Sequence, residues 1–533
     1  VPRIVLPITS RGLELTDRLC WFALGAAMAA AAALILYLNR GTTFSPDQTF
    51  FFLLTPDLDA GDVLAARTGH LVATTRLAYK AILETVGADY VAFRLLAVST
   101  MLLCAALFYA LVKRRIGAVP ALAPTLVLLF LGSAWQHVVV PNGLTVMLSV
   151  AAGLAALLAL ERGDGRGDVA GCALLTLSVA SYSTGLAFLV GIAISVLLRP
   201  DRRRRAWIFL IPLALYAAWW LWETPSQAYA GEEPKQSNVL LIPNFLAEAL
   251  ATVMAALTGL GYDFAGPPQP TAGPPQPGIE LGWGRILAAL AVVALVLRIR
   301  RGNLHPSLWV SLGIVLVFWS LAALVTGVGS RAPSAVRYIY PGAVGVLLVA
   351  TDAMRPIRFS RLGLAVLFIA AALSIATNVA LLRDGGSWFR EVQSSRIGAQ
   401  FAMLELARDR VNPDFDPVGI VPELVSMKAA TYFAAIDRYG SPAPSLSELE
   451  RQDEDVRQGA DRILASALGI RLEASSSRPD GGCRRLRAER PGAPVGFELP
   501  RGGASMRVRA VGPAAVSLGR FATLPSVEAG ELS

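Results

Sequence analysis

A small set of ionisable side chains lies at the boundaries between long apolar segments, where it could handle a phosphate group. Arginine and lysine neutralise a phosphate, and arginine offers a planar fork of donors. A carboxylate close to an acceptor hydroxyl can act as a general base. With a membrane to hold a lipid tail, these residues predict group transfer from a lipid phosphate carrier. The candidates are Asp47, His70, Arg76, Lys80, Arg94, His137, Arg337 and Tyr338.

Four of these residues have the clearest functional interpretation. Asp47 follows the first apolar segment and is the candidate base, or else a solvated helix cap. Arg94 lies one turn inside an apolar segment, where an ionisable group is functional by default, unless it snorkels to the headgroups. Arg337 and Tyr338 open a late segment and either contact the ligand or anchor the helix at the interface.

The other four residues have simpler alternatives. His70 begins a predicted helix and could cap it, while His137 could pack at the membrane interface beside Trp135. Arg76 and Lys80 could be no more than the wet face of a surface helix.

Metal, nucleotide and serine-hydrolase chemistry have no motif in this chain. The sequence contains no HExxH, CxxC, GxxxxGK or GxSxG, which are the signatures of those classes. The cluster Asp57, Asp59 and Asp62 offers oxygen ligands to a divalent cation, although loop solvation is the commoner fate of such carboxylates. No cofactor is required by the sequence.

The elements that position these residues are membrane-spanning helices. Of 533 residues, 54% are hydrophobic and 16% are charged, and the mean hydropathy is +0.53. Apolar runs of about 17–25 residues are typical of bilayer-crossing helices and are too long for barrel strands. We predict roughly eleven spans by this criterion. They are 19–38, 91–112, 118–133, 142–160, 168–181, 184–198, 206–222, 283–299, 306–328, 337–354 and 361–382.

The distribution of arginine and lysine predicts the orientation. Basic clusters mark every second loop, at 113–115, 162–166, 199–205, 298–301 and 355–361. Cytoplasmic loops carry this excess, so the N-terminus is predicted inside and the C-terminus outside a bacterial plasma membrane. The same bias explains most of the net charge of +9, which argues against a nucleic-acid partner. The candidate residues then face the exterior.

Three segments are predicted outside the bilayer. The domain 1–382 carries an outer loop 39–90, in which Thr68 to Val86 predicts an amphipathic surface helix. Its apolar stripe is predicted as Leu71, Thr75, Ala78, Ile82 and Val86. A second outer loop, 223–282, includes an apolar stretch, 238–260, predicted not to cross the membrane. That loop ends in a proline-rich linker, 265–278, which repeats AGPPQP.

The third segment, 383–533, is predicted as a small soluble α+β domain outside the cell. Periodicity predicts helices over Ala399 to Arg408 and Glu454 to Leu468, and alternation after Val495 predicts short strands. Its Cys483 is alone, and the other three cysteines lie within spans, so no disulfide framework is implied.

Several segments carry a family resemblance. The arrangement of one span, an acidic residue in a long outer loop with a surface helix, and an Arg-Tyr before a late span resembles the GT-C superfamily. Its members include protein O-mannosyltransferases, the lipid A aminoarabinose transferase and bacterial arabinofuranosyltransferases. More narrowly, the chain is similar to a set of uncharacterised membrane proteins of GC-rich bacteria. That likeness is carried by GHLVATTRLAYKAI, DYVAFRLL, GSAWQHVVVPNG, ASYSTGLAFLVG, VRYIYPGA, YGSPAPSLSELE and RQGADRILASALGIRL.

The resemblance implies a multi-span glycosyltransferase with a polyprenyl-phosphate sugar donor and inverting transfer on the outer face. It implies that Asp47 activates the acceptor, an envelope glycan, lipid or protein, and that Arg337 meets the donor phosphate. Two positions depart from the superfamily pattern. Many members have an acidic pair where this chain has Asp47-Gln48, and an acidic residue often precedes the histidine where this chain has Gly69.

Two other functions compete with this interpretation. A transporter or lipid flippase predicts ionisable residues at mid-membrane depth and an internal repeat, and the sequence has neither. A non-catalytic envelope scaffold would serve only to display residues 383–533.

Overall fold

The computed structural model describes residues 10–223, 236–262, 278–326, 331–355, 357–421, 424–470 and 519–521. The strands predicted after Val495, nearly all of the proline-rich linker and Cys483 lie outside these residues. The chain divides into two compact units, Val1–Arg390 and Glu391–Ser533. Within the described ranges the secondary structure is helical, without a β-strand.

The first unit is built almost entirely from α-helices of very different lengths, joined by short turns and 3₁₀ segments. They are α1 (Ser10–Leu38), α2 (Pro46–Leu54), α3 (Ala60–Leu64), α4 (Ala73–Val86), α5 (Tyr90–Ile116), α6 (Ala118–Leu129), α7 (Trp135–Val138), α8 (Leu144–Leu160), α9 (Gly165–Ser181), α10 (Thr184–Leu197), α11 (Arg202–Arg205), α12 (Trp207–Glu223), α13 (Ile242–Thr258), α14 (Gly282–Arg300), α15 (Ser307–Leu324), α16 (Ile339–Ala353) and α17 (Arg361–Trp388).

The long helices match the predicted spans. Within the described residues, eight stretches are long and apolar enough to cross a bilayer, and α6 with the segment Gly132–Val138 forms a further candidate bent by 41°. Each of the eleven predicted segments overlaps a helix, although α6, α10 and α16 are shorter than the others. The prediction of a multi-pass, all-helical membrane protein is confirmed.

Local signals begin and end these helices where the sequence changes character. At the start of α5, the Asp89 side chain accepts a hydrogen bond from the backbone N–H of Val91, as an N-cap does. The helix ends at Gly117, whose φ of 92° suits a residue without a Cβ.

One end of the bundle, which we call the arginine-rich end, is held together by ion pairs between helix termini. Lys113 at the end of α5 lies 3.0 Å from Asp17 near the start of α1. Arg114 lies 2.7 Å from Glu161, which follows α8, and Arg205 pairs with Asp168 in the first turn of α9. These contacts bring together the basic segments that the sequence analysis assigns to the cytoplasm.

The opposite end, which we call the loop end, gathers the other termini. Arg94 at the start of α5 donates to the Asn39 carbonyl just after α1, at 2.7 Å. Asn378, in the last third of α17, accepts from the Ser133 backbone N–H beyond α6, at 3.0 Å. A Cβ at Gly132 would overlap the Asn378 carbonyl, so only glycine allows this approach. Successive long helices therefore run alternately between the two ends.

Helix α13 is an exception to this alternation. The stretch Ser237–Thr258, which includes α13, is long and apolar enough to cross a bilayer. However, Asn238 before α13 donates to the Leu324 carbonyl at the loop end, at 2.9 Å. At its other terminus the Ala256 carbonyl accepts from Asn378, also at the loop end, at 2.9 Å. Because both termini have partners at the loop end, α13 does not run between the two ends of the bundle.

Residues 73–86 of the predicted surface helix form helix α4, whose buried face differs from the predicted stripe. The helix begins at Ala73, because a tight turn at Thr68 and Gly69 precedes it. Its buried face is Ala73, Thr75, Arg76, Tyr79 and Leu83. Val86, predicted on the apolar stripe, is instead exposed. The prediction erred by about one helical position, because the buried Tyr79 and the aliphatic stem of Arg76 define the inner face.

The second unit has its own small core. Its helices are α18 (Ser395–Leu406), α19 (Ala429–Tyr439), α20 (Leu446–Leu449) and α21 (Glu454–Ala467), after a π-helical segment, Phe389–Ser394. Met403, Leu449 and Ile463 are among its fully buried residues. The two predicted helices correspond to α18 and α21.

Candidate functional site

Asp47 lies in the first turn of the short helix α2, at the loop end. The positive end of the helix dipole favours a carboxylate at this position. Its Oδ1 accepts from Arg67 at 3.1 Å and its Oδ2 from Asn142 at 2.9 Å. The side chain of Asp47 nevertheless remains 50% exposed. It is thus an oriented carboxylate that is still open to a substrate.

Gln48, next to Asp47, holds α2 in place. Its Nε2 donates to the Tyr79 hydroxyl at 2.7 Å, and its Oε1 accepts from the Tyr90 hydroxyl at 2.8 Å. The Gln48 side chain is fully buried. An amide can donate to one tyrosine while accepting from the other, whereas an ionised carboxylate can only accept. The amide of Gln48 therefore bridges the two tyrosine hydroxyls from within the protein.

A two-residue turn places Arg67 and His70 beside each other. Their backbones exchange two hydrogen bonds of 2.9 Å each. Between them, Thr68 has φ 47° and Gly69 has φ 78°, the pair of positive values that defines a type I′ turn. Glycine at position 69 therefore serves the backbone of the turn.

His70 is held by the turn between α9 and α10. Its Nδ1 lies 2.6 Å from the Ser183 hydroxyl, and its ring lies 4.2 Å from that of Tyr182. Burial lowers the pKa of His70 to about 4, and the positive charges of Arg331 and Arg337 act in the same direction. The imidazole is therefore neutral at pH 7, where it can accept or donate a hydrogen bond without adding charge.

Tyr182 lies within the electrostatic influence of several charged residues of the site. Burial raises its pKa to about 12, and the charges of Arg337, Asp47 and Arg331 all act on its hydroxyl. The carboxylate and the two arginines are thus near enough to one tyrosine for their charges to affect its pKa. Three segments that are distant in the sequence converge here.

Arg337 is exposed at the start of α16 and makes no hydrogen bond or ion pair with any residue in the described ranges. Next to it, Tyr338 packs against Phe245 of α13 and Phe318 of α15, with ring centroids 5.9 and 6.3 Å away. The guanidinium is therefore available to an external anion, while its neighbour anchors the segment.

His137 lies on the short helix α7, which packs against the segment Val336–Tyr338. The residue is 9% exposed, and its Nδ1 has no hydrogen-bond partner among the described residues. A Cβ at Gly143 would overlap its backbone. His137 thus borders the site from within the protein.

Three of the predicted phosphate ligands bind backbone carbonyls instead. Arg94 donates to Asn39, Lys80 donates to Leu58 at 2.9 Å, and Arg76 donates to the carbonyls of Asp62 and Ala65. Arg76 is only 3% exposed, so the alternative prediction of a wet helix face is wrong for this residue. These hydrogen bonds tie the three cations to loop carbonyls, and their contact with a phosphate stays a prediction.

The acidic cluster of the same loop forms a helix cap. Asp59 and Asp62 each accept from the other's backbone N–H, at 2.7 and 3.2 Å, in a capping box before α3. The described residues contain no group of three or more His, Cys, Asp or Glu arranged to hold a metal ion.

An apolar cavity of about 340 Å³ lies beside the polar residues. Helices α9 and α12 form its walls, and Leu64 and Leu71, which flank the Arg67–His70 turn, complete it. Trp219 of α12 donates to the Leu64 carbonyl at 2.6 Å, so the cavity wall is attached to the loop that carries Arg67.

Sequence reasoning missed Arg67. It lies in a loop without periodicity, and its partner Asp47 is twenty residues away, so no local pattern reveals the pair. The dipeptide Thr68-Gly69 was the available signal, because glycine-containing dipeptides mark tight turns that set flanking side chains together.

Comparisons with known proteins find similarity among solved structures and none at the level of sequence families. No protein-family model matches the sequence, and no curated protein matches it. Among solved structures, the chain is similar to the crystal structure of ArnT from Cupriavidus metallidurans in the apo state. The two are 12% identical with a TM-score of 0.48, over 81% of this chain and 90% of that one.

Proposed function

We propose that the chain is a GT-C-type glycosyltransferase that moves a sugar from a polyprenyl-phosphate donor to an extracytoplasmic acceptor. The observations that carry the proposal are the half-exposed carboxylate of Asp47 and the exposed guanidinium of Arg337, whose charges both act on the Tyr182 hydroxyl. One group can take a proton and the other can bind a phosphate. The acceptor would be an envelope glycan, a lipid or a protein.

In this mechanism Asp47 accepts the proton of the acceptor hydroxyl. The hydroxyl oxygen bonds to the anomeric carbon as the bond from that carbon to the phosphate oxygen breaks. The electron pair leaves on the phosphate, whose growing charge Arg337 stabilises. Asn142, which binds Oδ2 of Asp47 at 2.9 Å, keeps the carboxylate oriented. Neutral His70 and Tyr338 would position the sugar.

The apolar cavity between α9 and α12 supports a lipid-linked donor. It is lined by carbon-rich side chains including Leu64, Leu71 and Trp219, and an isoprenoid tail there would lie next to the polar site. Because basic loops face the cytoplasm, we propose that the loop end faces the exterior of the plasma membrane. The second unit, Glu391–Ser533, would lie on that side too.

The test is sugar transfer by purified protein from a polyprenyl-phosphate sugar. We expect Asp47→Asn to lower kcat by about 10²- to 10⁴-fold, the range for loss of a general base. Asp57→Asn, an exposed acid of the same loop, is the matched control and should keep wild-type activity. Full activity in Asp47→Asn would remove Asp47 as the base. Substrate counterflow in proteoliposomes, without transfer, would point to a transporter instead.

A further inference from the structure

The contact between Arg67 and Asp47 uses little of the binding capacity of the arginine. A single nitrogen, Nη2, lies within hydrogen-bond distance of the carboxylate, at 3.1 Å. Nε of Arg67 is buried without a hydrogen-bond partner among the described residues. An arginine committed to a carboxylate normally uses two donors in parallel. This guanidinium therefore keeps donors for a second anion.

Arg67 can also change partner without unfolding its surroundings. The side chains of Arg67 and Asp47 are 28% and 50% exposed, so water reaches both. The guanidinium stacks on the Phe50 ring with its carbon 3.7 Å from the ring centroid. Such a stack tolerates rotation of the cation in its plane, and it holds the arginine close to the site in either position.

The pairing conflicts with the role proposed for Asp47. Arg67 contacts Oδ1 of Asp47 and Asn142 contacts Oδ2, so each oxygen already faces a donor. Of these two donors, only Arg67 carries a charge that a phosphate can attract. Departure of Arg67 would open Oδ1 to the proton of an acceptor hydroxyl. The phosphate of the sugar donor is a diester with one negative charge, like a carboxylate, and it offers two non-bridging oxygens that match the guanidinium fork, so it can compete for Arg67.

We propose that Arg67 is a phosphate-responsive switch, paired with Asp47 in the empty site and with the donor phosphate in the loaded site. Donor binding then frees the base, and Asn142 keeps that base in place. This inference rests on the proposed function for the identity of the phosphate, but it concerns binding and requires no sugar.

The test is binding of farnesyl phosphate, a short isoprenyl phosphate, to purified protein in detergent. If Asp47 competes for Arg67, Asp47→Asn should bind it tighter, by about two- to fivefold, the worth of an exposed ion pair. Arg67→Gln should bind it about tenfold or more weakly, since a charged hydrogen bond is lost. In the Arg67→Gln background, adding Asp47→Asn should change nothing.

Three controls make the outcome specific. Asp57→Asn removes an exposed carboxylate of the same loop and should leave affinity unchanged. Farnesol, which lacks the phosphate, should bind every variant equally. Arg67→Lys keeps the charge and should recover part of the affinity, and melting temperatures check that each variant is folded.

Unchanged or weaker binding to Asp47→Asn would overturn the switch. So would an Arg67→Gln variant that loses thermal stability but keeps its affinity, since Arg67 would then be merely structural. If the cycle holds while no variant transfers sugar, the switch stands and the proposed function fails. If transfer occurs without the cycle, the function stands and the switch fails.

Discussion

Two arginine–aspartate pairs lie at opposite ends of the membrane unit. They differ in burial and in the number of donors to the carboxylate. At the arginine-rich end, Arg115 and Asp352 lie 2.7 Å apart with side chains 3% and 0% exposed. At the loop end, Arg67 and Asp47 lie 3.1 Å apart with side chains 28% and 50% exposed. One pair is sealed inside the protein, while the other faces solvent.

The two carboxylates also differ in how fully they are bound. Asp352 accepts from Arg115, Ser307, Ser311 and Arg355. It thereby joins α5, α15 and α16. Asp47 accepts from two donors and keeps room for a third. Burial with a full set of donors indicates a structural pair, whereas exposure with spare capacity indicates a reactive one.

The largest expected effect tests the structural pair. Asp352→Ala should destabilise the protein by about 3–5 kcal/mol, because it leaves Arg115 as an uncompensated buried charge. Asp47→Ala should cost about 0–1 kcal/mol, the range for an exposed pair. Chemical unfolding of both variants in detergent measures the difference.

The comparison would break if the two variants lost equal stability. A double variant, Arg115→Met with Asp352→Leu, provides the control. Replacing both charges with apolar groups should recover most of the stability, because the buried Arg115 charge is removed and Arg355, which loses Asp352, is partly exposed to solvent.

Much of the membrane architecture could be predicted from the sequence, because the bilayer imposes its length and polarity on each helix separately. The predicted segment 91–112 became α5 (Tyr90–Ile116), and 283–299 became α14 (Gly282–Arg300). Even α13, apolar enough to cross, was predicted to stay on one side from the arginines that follow it. In the structure both of its termini have hydrogen-bond partners at the loop end, and its position relative to the membrane stays a prediction.

The partners of individual side chains could not be predicted in the same way. Arg94 and Asp352 are both ionisable residues near the end of an apolar helix, yet their partners lie 55 and 237 residues away along the chain. Hydropathy does not encode such pairs. The sequence analysis therefore named Arg94 as a phosphate ligand and missed both Asp352 and Arg67.

Two histidines extend the comparison to pH. His70 at the loop end and His305 at the arginine-rich end each place Nδ1 near a serine hydroxyl, at 2.6 and 2.8 Å. Burial lowers the pKa of His70 from 6.5 to about 4. Burial also lowers the pKa of His305, but that side chain is exposed.

From these positions we predict a pH-dependent stability that depends on His70. Below pH 6.5 the unfolded chain binds a proton that the folded His70 refuses until about pH 4. The free energy of unfolding should thus fall as the pH drops through this window, by up to about 3 kcal/mol from His70 alone. His70→Gln should remove that part of the slope, and His305→Gln should alter it much less. Identical slopes in His70→Gln and wild type would contradict the assignment.

The smallest expected effect concerns backbone strain. Among the described residues, Thr68 at the loop end and Asn303 at the arginine-rich end are the two non-glycine residues with positive φ, at 47° and 51°. Asparagine tolerates this conformation, whereas β-branched threonine is strained in it. The reactive end therefore stores strain at the turn that carries Arg67 and His70, and the structural end does not. Thr68→Asn should raise the free energy of unfolding by about 0.5–1 kcal/mol, and Asn303→Thr should lower it by a similar amount. Unfolding curves for the two variants should shift in opposite directions, and a shift in the same direction would show that the strain is not specific to the site.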